Sequence, residues 1–224
     1  MLATVSPEAA PRPARRPQAE RSAETRRRVV EAAIGCLHRL GYAATTVSEV
    51  AFAAGVSRGA MTHQFPAKTD LMVAVVRAVF RQDAEAYETS LAGADPVEWM
   101  RRVPQRLWAV VGQPSGVAVM EIMLASRSDP ELATRLRQMQ ERIDREAFAW
   151  MQQRRRAAGL ADRPDAEAIH RTFVAAARGL ALEALFMDNR AAAEASIAVL
   201  TEALAGFYPP LAGPPHSQAG DTAG

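Results

Sequence analysis

Cysteine, lysine and strand-like alternation are what this sequence has least of, and each shortage narrows the reading. One cysteine, Cys36, occurs in 224 residues, so no disulfide framework and no CxxC site can form within the chain. A reducing cytoplasm is the expected setting. The four histidines, His38, His63, His170 and His216, share no ligand spacing, which leaves no expectation of a metal or other cofactor. No apolar run reaches the ~18 residues that a membrane span needs. The greasiest stretch, Phe173 to Met187, is broken by Arg178 and Glu183, and no membrane partner is expected. The N-terminal arginines are followed by Pro7, Pro11, Pro13 and Pro17 among Ala, Arg and Gln rather than by an apolar segment with a cleavage site, so a disordered arm is expected there, not a secretion signal. No segment alternates apolar and polar residues cleanly at the strand period, and the expected fold class is all-α.

What the chain does have is hydrophobic content, at 49%, in a length beyond the ~100–150 residues typical of one domain. One large or two small domains are expected. Net charge is only +2, but it is unevenly spread. Residues 1–68 hold ten Lys/Arg against five Asp/Glu, a net +5, and residues 69–224 hold seventeen against twenty, a net −3. A basic head on a mildly acidic body suits a polyanionic partner, because neutralised phosphates release their counterions.

About nine helices are expected. The first runs from about Ala23 to Leu40, with Val29, Ala32, Ala33, Leu37 and Leu40 on one stripe and Gly41 as its stop. Thr46 can cap a short helix over Val47 to Ala54, Gly55 breaks it, and Ser57 can cap another. A long helix follows from Lys68 to about Leu91. Asp95 and Pro96 start a helix that Gly112 to Gly116 breaks, and Ser115 can start the next, ending near Ser126. Asp129 and Pro130 start one that Gly159 ends. Two more, about Asp165 to Met187 and Ala191 to Tyr208, precede a Pro/Gly-rich tail. The expected organisation is a disordered basic arm over 1–20, a DNA-binding domain over 21–68, a ligand-binding and dimerisation domain over 69–208, and a disordered tail over 209–224.

Residues 46–65 have the parts of a helix-turn-helix: two short helices, a glycine turn, and a second helix with a free outer face. Val47, Val50, Ala51, Ala54, Val56 and Met61 supply a small apolar interior and Gly55 the turn. Ser57, Arg58, Gly59, Thr62 and His63 offer hydroxyl, guanidinium and imidazole donors beside a bare backbone. Thr46, at a helix N-terminus, and Lys68, the only lysine in the chain, are placed for phosphates. The expected DNA-binding set is therefore Thr46, Ser57, Arg58, Gly59, Thr62, His63 and Lys68.

Residues 21–72 resemble the TetR family of bacterial regulators. The resemblance rests on the first helix ending in Gly41-Tyr42, then Thr-Thr-Val, Ala54 to Ser57 as Ala-Gly-Val-Ser, Gly59, Phe65, Lys68 and Leu71. It implies a homodimer, double-stranded operator DNA with two-fold symmetry, and repression relieved by a small-molecule inducer. One departure stands at the centre of the motif: where the family usually has Leu-Tyr-x-His-Phe, this chain has Met61-Thr62-His63-Gln64-Phe65, so Thr62 replaces a phosphate-binding tyrosine. The Ser57-to-Ala60 opening, the His63-to-Lys68 ending, and the segments Ala125 to Pro130 and Arg178 to Ala181 are similar to cumate-responsive repressors, which implies a small aromatic acid as inducer.

Two other readings compete. Gly55-Val56-Ser57-Arg58-Gly59 matches the G-x-S-x-G of serine hydrolases, but that elbow needs a preceding strand where a helix is expected. The expectation is no enzyme. A helical interaction protein without DNA would keep the bundle and treat the basic head as solvation. In the body, Trp108, Met120, Met123, Leu124, Trp150, His170, Phe173 and Arg178 are the candidate ligand pocket, mixing adaptable sulfur, aromatic faces and polar handles. The helix from Asp165 to Met187 is apolar on two faces, the last helix carries one apolar stripe, and Leu180, Leu182, Leu185, Ile197, Leu200 and Leu204 are the candidate dimer interface.

Overall fold

Thr46, Ser57, Asp95 and Asp129 each turn a side-chain oxygen onto a backbone N–H three residues ahead, and each starts a helix by satisfying a donor that has no partner within the first turn. Helices make up the fold. The computed structural model describes residues 18–91, 95–160 and 163–207. Among these residues there are ten α-helices, one turn of 3₁₀ helix, and no strand element. The helices are α1 (Gln18–Ala44), α2 (Val47–Ala54), α3 (Arg58–Gln64), α4 (Lys68–Leu91), α5 (Pro96–Arg101), α6 (Val103–Val111), α7 (Pro114–Ala125), α8 (Pro130–Ala157), α9 (Ala166–Met187) and α10 (Arg190–Phe207); the 3₁₀ turn, Ser126–Ser128, joins α7 to α8.

The sequence expectation differs from this in five places, the last of them at Gly41. Its single helix after Asp95 is two, α5 and α6, because Pro104 has no N–H to donate back along the helix, and Arg102 sits between them at φ −89°, ψ 3°. That break raises the count from nine to ten. Ser115 does not start α7: Pro114 occupies the first turn, and Gln113 precedes it without a side-chain cap. Gln18, Ala19 and Glu20, expected as the end of the arm, are already helical, with Glu20 favourably placed in the first turn. Leu40, expected on the buried stripe of α1, is 46% exposed. Arg12, Arg15 and Arg16 of the arm, Tyr208, His216 and the tail over 209–224 lie outside the described residues.

Gly41 does not end α1 outright. It interrupts the helix at φ 74°, ψ 174° before a last turn to Ala44, a conformation that favours glycine. Val29, Ala33, Cys36 and Leu37 of α1 share one core with Val50 and Ala51 of α2, Met61 of α3, Leu71, Val75 and Val79 of α4, Ala118 and Ile122 of α7, and Leu132 and Leu136 of α8. Of the three N-terminal helices, α1 packs directly on α7 and on α4, α2 packs on α1 and α3, and α8 joins this core through α4. A second core gathers Trp99, Met100, Val103, Met151, Ile169, Phe173 and Leu204, with Trp99 and Trp150 edge to face at 5.0 Å between centroids. A third gathers Trp108, Ala177, Ala181, Ala193 and Ile197.

Candidate nucleic-acid interface

α2 ends where Gly55 turns left-handed at φ 62°, ψ 39°, and the Val56 N–H reaches back 3.0 Å to the Ala51 carbonyl. This is a Schellman-type stop, and it sets α3 off at an angle within three residues. Arg28 of α1 donates to the Ala54 and Gly55 carbonyls, so a guanidinium closes the C-terminal end of α2. At the far end of α3, Arg26 donates to the Gln64 carbonyl at 3.3 Å and lies 4.4 Å over the Phe65 ring, while Gln64 Nε2 donates to Ser22 Oγ at 2.7 Å. These ties from α1 hold the end of α2 and the far end of α3. Sequence reasoning did not find Arg26 or Arg28 in this role, because the ties join residues 26 to 42 positions apart.

Met61 is fully buried and anchors α3, leaving Arg58, Gly59, Thr62 and His63 exposed along the opposite face. Thr62 Oγ1 donates to the Arg58 carbonyl at 3.0 Å, so at rest its hydroxyl is turned to its own helix. The Thr46 and Ser57 oxygens each accept an N–H of the helix they cap, and each hydroxyl keeps its proton to give elsewhere. A Cβ added to Gly59 would meet nothing within 4 Å; packing does not require glycine there.

Lys68 is more engaged than a free surface cation. Its Nζ donates to the Tyr42 carbonyl at 2.7 Å and sits 3.9 Å over the Tyr42 ring. Partial burial pushes its pKa below the ordinary lysine value. Burial, with Asp129 nearby, pushes the Tyr42 phenol up. Two of the three ammonium protons remain for another acceptor.

The candidate pocket residues do not converge on one space. Trp108 and Met120 belong to the third core, Trp150 and Phe173 to the second, Met123 to the first, and Leu124 is 54% exposed on α7. His170 and Arg178 of α9 do share surroundings: burial lowers the pKa of each, and Asp144 of α8 opposes that shift in both. The candidate interface residues also divide. Ile197 and Leu204 are buried inside their own chain, and Leu180 and Leu200 pack beside the inner cores, whereas Leu182 and Leu185 face outward. Phe186 and Val199, not singled out from the sequence, are exposed with them.

Residues 29–75 match the family described as bacterial regulatory proteins, tetR family. Over 84 residues the chain is 43% identical to the HTH-type transcriptional regulator CymR of Pseudomonas putida. The N-terminal segment is thus similar to the DNA-binding domain of TetR-family regulators. The stretch shared with CymR covers 38% of this chain and 41% of that relative. Among solved structures, a TetR transcription regulator from Haloarcula marismortui superposes with a TM-score of 0.68 at 19% identity, covering 83% of this chain and 99% of that one. A transcriptional regulator from Saccharomonospora viridis in complex with choline gives 0.62 at 19% identity, covering 83% and 95%. The likeness of fold, at 83% of the chain, thus extends well beyond the matched N-terminal residues. In that setting Ser57 of the G-x-S-x-G match is the cap of the recognition helix, follows helix α2 rather than a strand, and is no catalytic elbow. No single described helix is long and apolar enough to cross a membrane.

Proposed function

We propose that this chain is a transcriptional repressor that binds operator DNA as a homodimer in the cytoplasm and leaves it when a small molecule occupies the body. The observation that carries the reading is the face of α3: Arg58, Gly59, Thr62 and His63 are all exposed, on a helix whose C-terminal end is fastened to α1 and which follows the α2 end that Arg28 closes. Arg58 and His63 offer donors to base edges in the major groove. Thr46, Ser57 and Thr62 offer hydroxyl protons, and Lys68 its two remaining protons, to phosphates on either side. With threonine in place of the family's tyrosine, phosphate anchoring is shared among Thr46, Thr62 and Lys68.

For the dimer, the outward side chains of α9 and α10 support pairing with a second copy: Leu182, Leu185, Phe186 and Val199 are 51%, 53%, 85% and 66% exposed. Exposed Gly179 leaves room there for a close approach. Leu182 and Leu185 remain in the proposed interface; Ile197 and Leu204 support it from within. For the effector, Arg178 and His170 beside the second and third cores suit an anionic organic molecule, the chemistry that a small aromatic acid would bring. The CymR likeness supports the regulator reading, and a choline complex on the same fold supports a small-molecule site in the body.

The test starts from a duplex recovered by selection from random sequences. The wild-type chain retards it and Arg58→Ala loses discrimination between it and a scrambled duplex, with base contacts of this kind contributing ~1–3 kcal/mol. A wild-type chain that enriches no sequence would reject the reading.

A further inference from the structure

The Gly41–Tyr42 step is held from two sides. Gly41, at φ 74° and ψ 174°, interrupts α1, so the Tyr42 N–H has no helical carbonyl to meet. Glu121, on α7, supplies the acceptor: its Oε2 lies 2.9 Å from the Tyr42 nitrogen. On the other side of the same residue the Tyr42 carbonyl accepts from Lys68 Nζ at 2.7 Å, and the ammonium rests on the Tyr42 ring. Lys68 is the first residue of α4, four positions beyond the end of the recognition helix at Gln64. A continuous polar chain therefore runs from α7 through Tyr42 to the corner that follows α3.

Gly41 fits this link in two respects. Its positive φ favours glycine, and a Cβ there would stand 3.3 Å from Glu121 Oε2. The apolar contacts of Ala118 and Ile122 with α1 also join α7 to the head, but apolar contacts tolerate sliding, whereas a hydrogen bond fixes direction and distance. A second tie enters the same corner: Arg135 of α8 pairs with Asp70 at 2.9 Å, and Asp70 accepts from the Ala67 N–H at 3.0 Å.

We propose that Glu121 is the positioning residue through which α7 and the DNA-binding head sense each other's state, by way of Tyr42 and Lys68. This rests on the operator-binding reading above. Coupling between two sites is reciprocal, so whatever α7 imposes on the head, operator DNA must impose on α7. An acceptor that merely satisfied a half-buried N–H would stabilise the fold but would not transmit.

Hydrogen exchange of the full chain, with and without the selected duplex, separates the two roles. In the wild type the duplex slows exchange across Pro114–Ala125 by about five-fold or more, the lower end of an ordinary coupling. Glu121→Leu, which keeps bulk but accepts nothing, still binds the duplex while the slowing in α7 falls below about two-fold, and Glu121→Gln, whose amide oxygen still accepts, restores it. If Glu121→Leu does not fold, Glu121→Ala takes its place, since it removes the acceptor without adding a branched apolar side chain; it too must bind the duplex and uncouple α7. Wild-type slowing in the Leu or Ala variant, or no restoration by Gln, would overturn the proposal. A wild-type chain that selects no duplex rejects the operator reading itself, and shows it before any variant is made.

Discussion

A methyl group added at Gly59 would find open space, yet the chain places the residue with the largest backbone freedom inside the first turn of its recognition helix. Folding alone would favour alanine, by about 0.5–1 kcal/mol. Gly59→Ala is thus expected to raise the thermal midpoint slightly while weakening operator binding about tenfold, ~1.4 kcal/mol, because the new methyl stands between backbone and groove. Thermal melts and operator titrations on one preparation check both signs. Lys68 separates differently. Lys68→Ala is expected to weaken selected and scrambled duplexes alike and to reduce the slope of log affinity against log salt by ~0.9, the value of one phosphate contact. It also removes the bond to Tyr42, so its melt falls where that of Gly59→Ala rises. An unchanged salt slope would assign Lys68 to the fold alone.

At the scale of the helix, the N-terminal third was legible because its punctuation is local. Thr46, Gly55 and Ser57 act within three or four residues of themselves, α2 and α4 have their expected bounds, and α3 starts directly after its expected cap. Asp129 with Pro130 started α8 for the same reason. The α5–α6 break was hidden because Pro104 is tolerated in a first turn as readily as it breaks an interior, and only packing decides which. The exposed face of α3 could be read from the sequence; the Arg26, Arg28 and Glu121 ties that position it could not, since they join residues tens of positions apart and leave no periodic trace. Asp83 on α4 is a similar case. Burial pushes its carboxyl up to about 6 from an ordinary 3.8. A carboxyl whose folded pKa lies above its unfolded value penalises the fold wherever it must ionise, fully above about pH 6 and not at all below the unfolded value. Asp83→Asn is therefore expected to melt a few °C above wild type at neutral pH. The gap should close as the pH falls from about 6 toward 3.8. Melting curves of the pair across that range measure it, and a gap independent of pH would mean that the aspartate is solvated.

In the whole molecule, the apolar side chains of α9 divide between two duties. Ile169, Phe173, Ala177 and Ala181 are buried in the chain's own cores, while Leu182, Leu185, Phe186 and Met187 are turned out together near its C-terminal end. An apolar group of this kind on a TetR fold calls for cover, and a two-fold copy would supply it while setting two recognition helices about one DNA turn, ~34 Å, apart. Phe186 tests this cleanly, because at 85% exposure it contributes little to its own chain's packing. Phe186→Glu is expected to sediment as a monomer and to melt at a midpoint that no longer depends on protein concentration. Its operator affinity should fall by about a hundredfold or more, ~2.8 kcal/mol, since the second half-site must then be filled from bulk solution rather than by a tethered copy. A variant that stays dimeric with full operator affinity would move the interface away from this end of α9, and the next surface to examine would be the outward face of α10 around Val199.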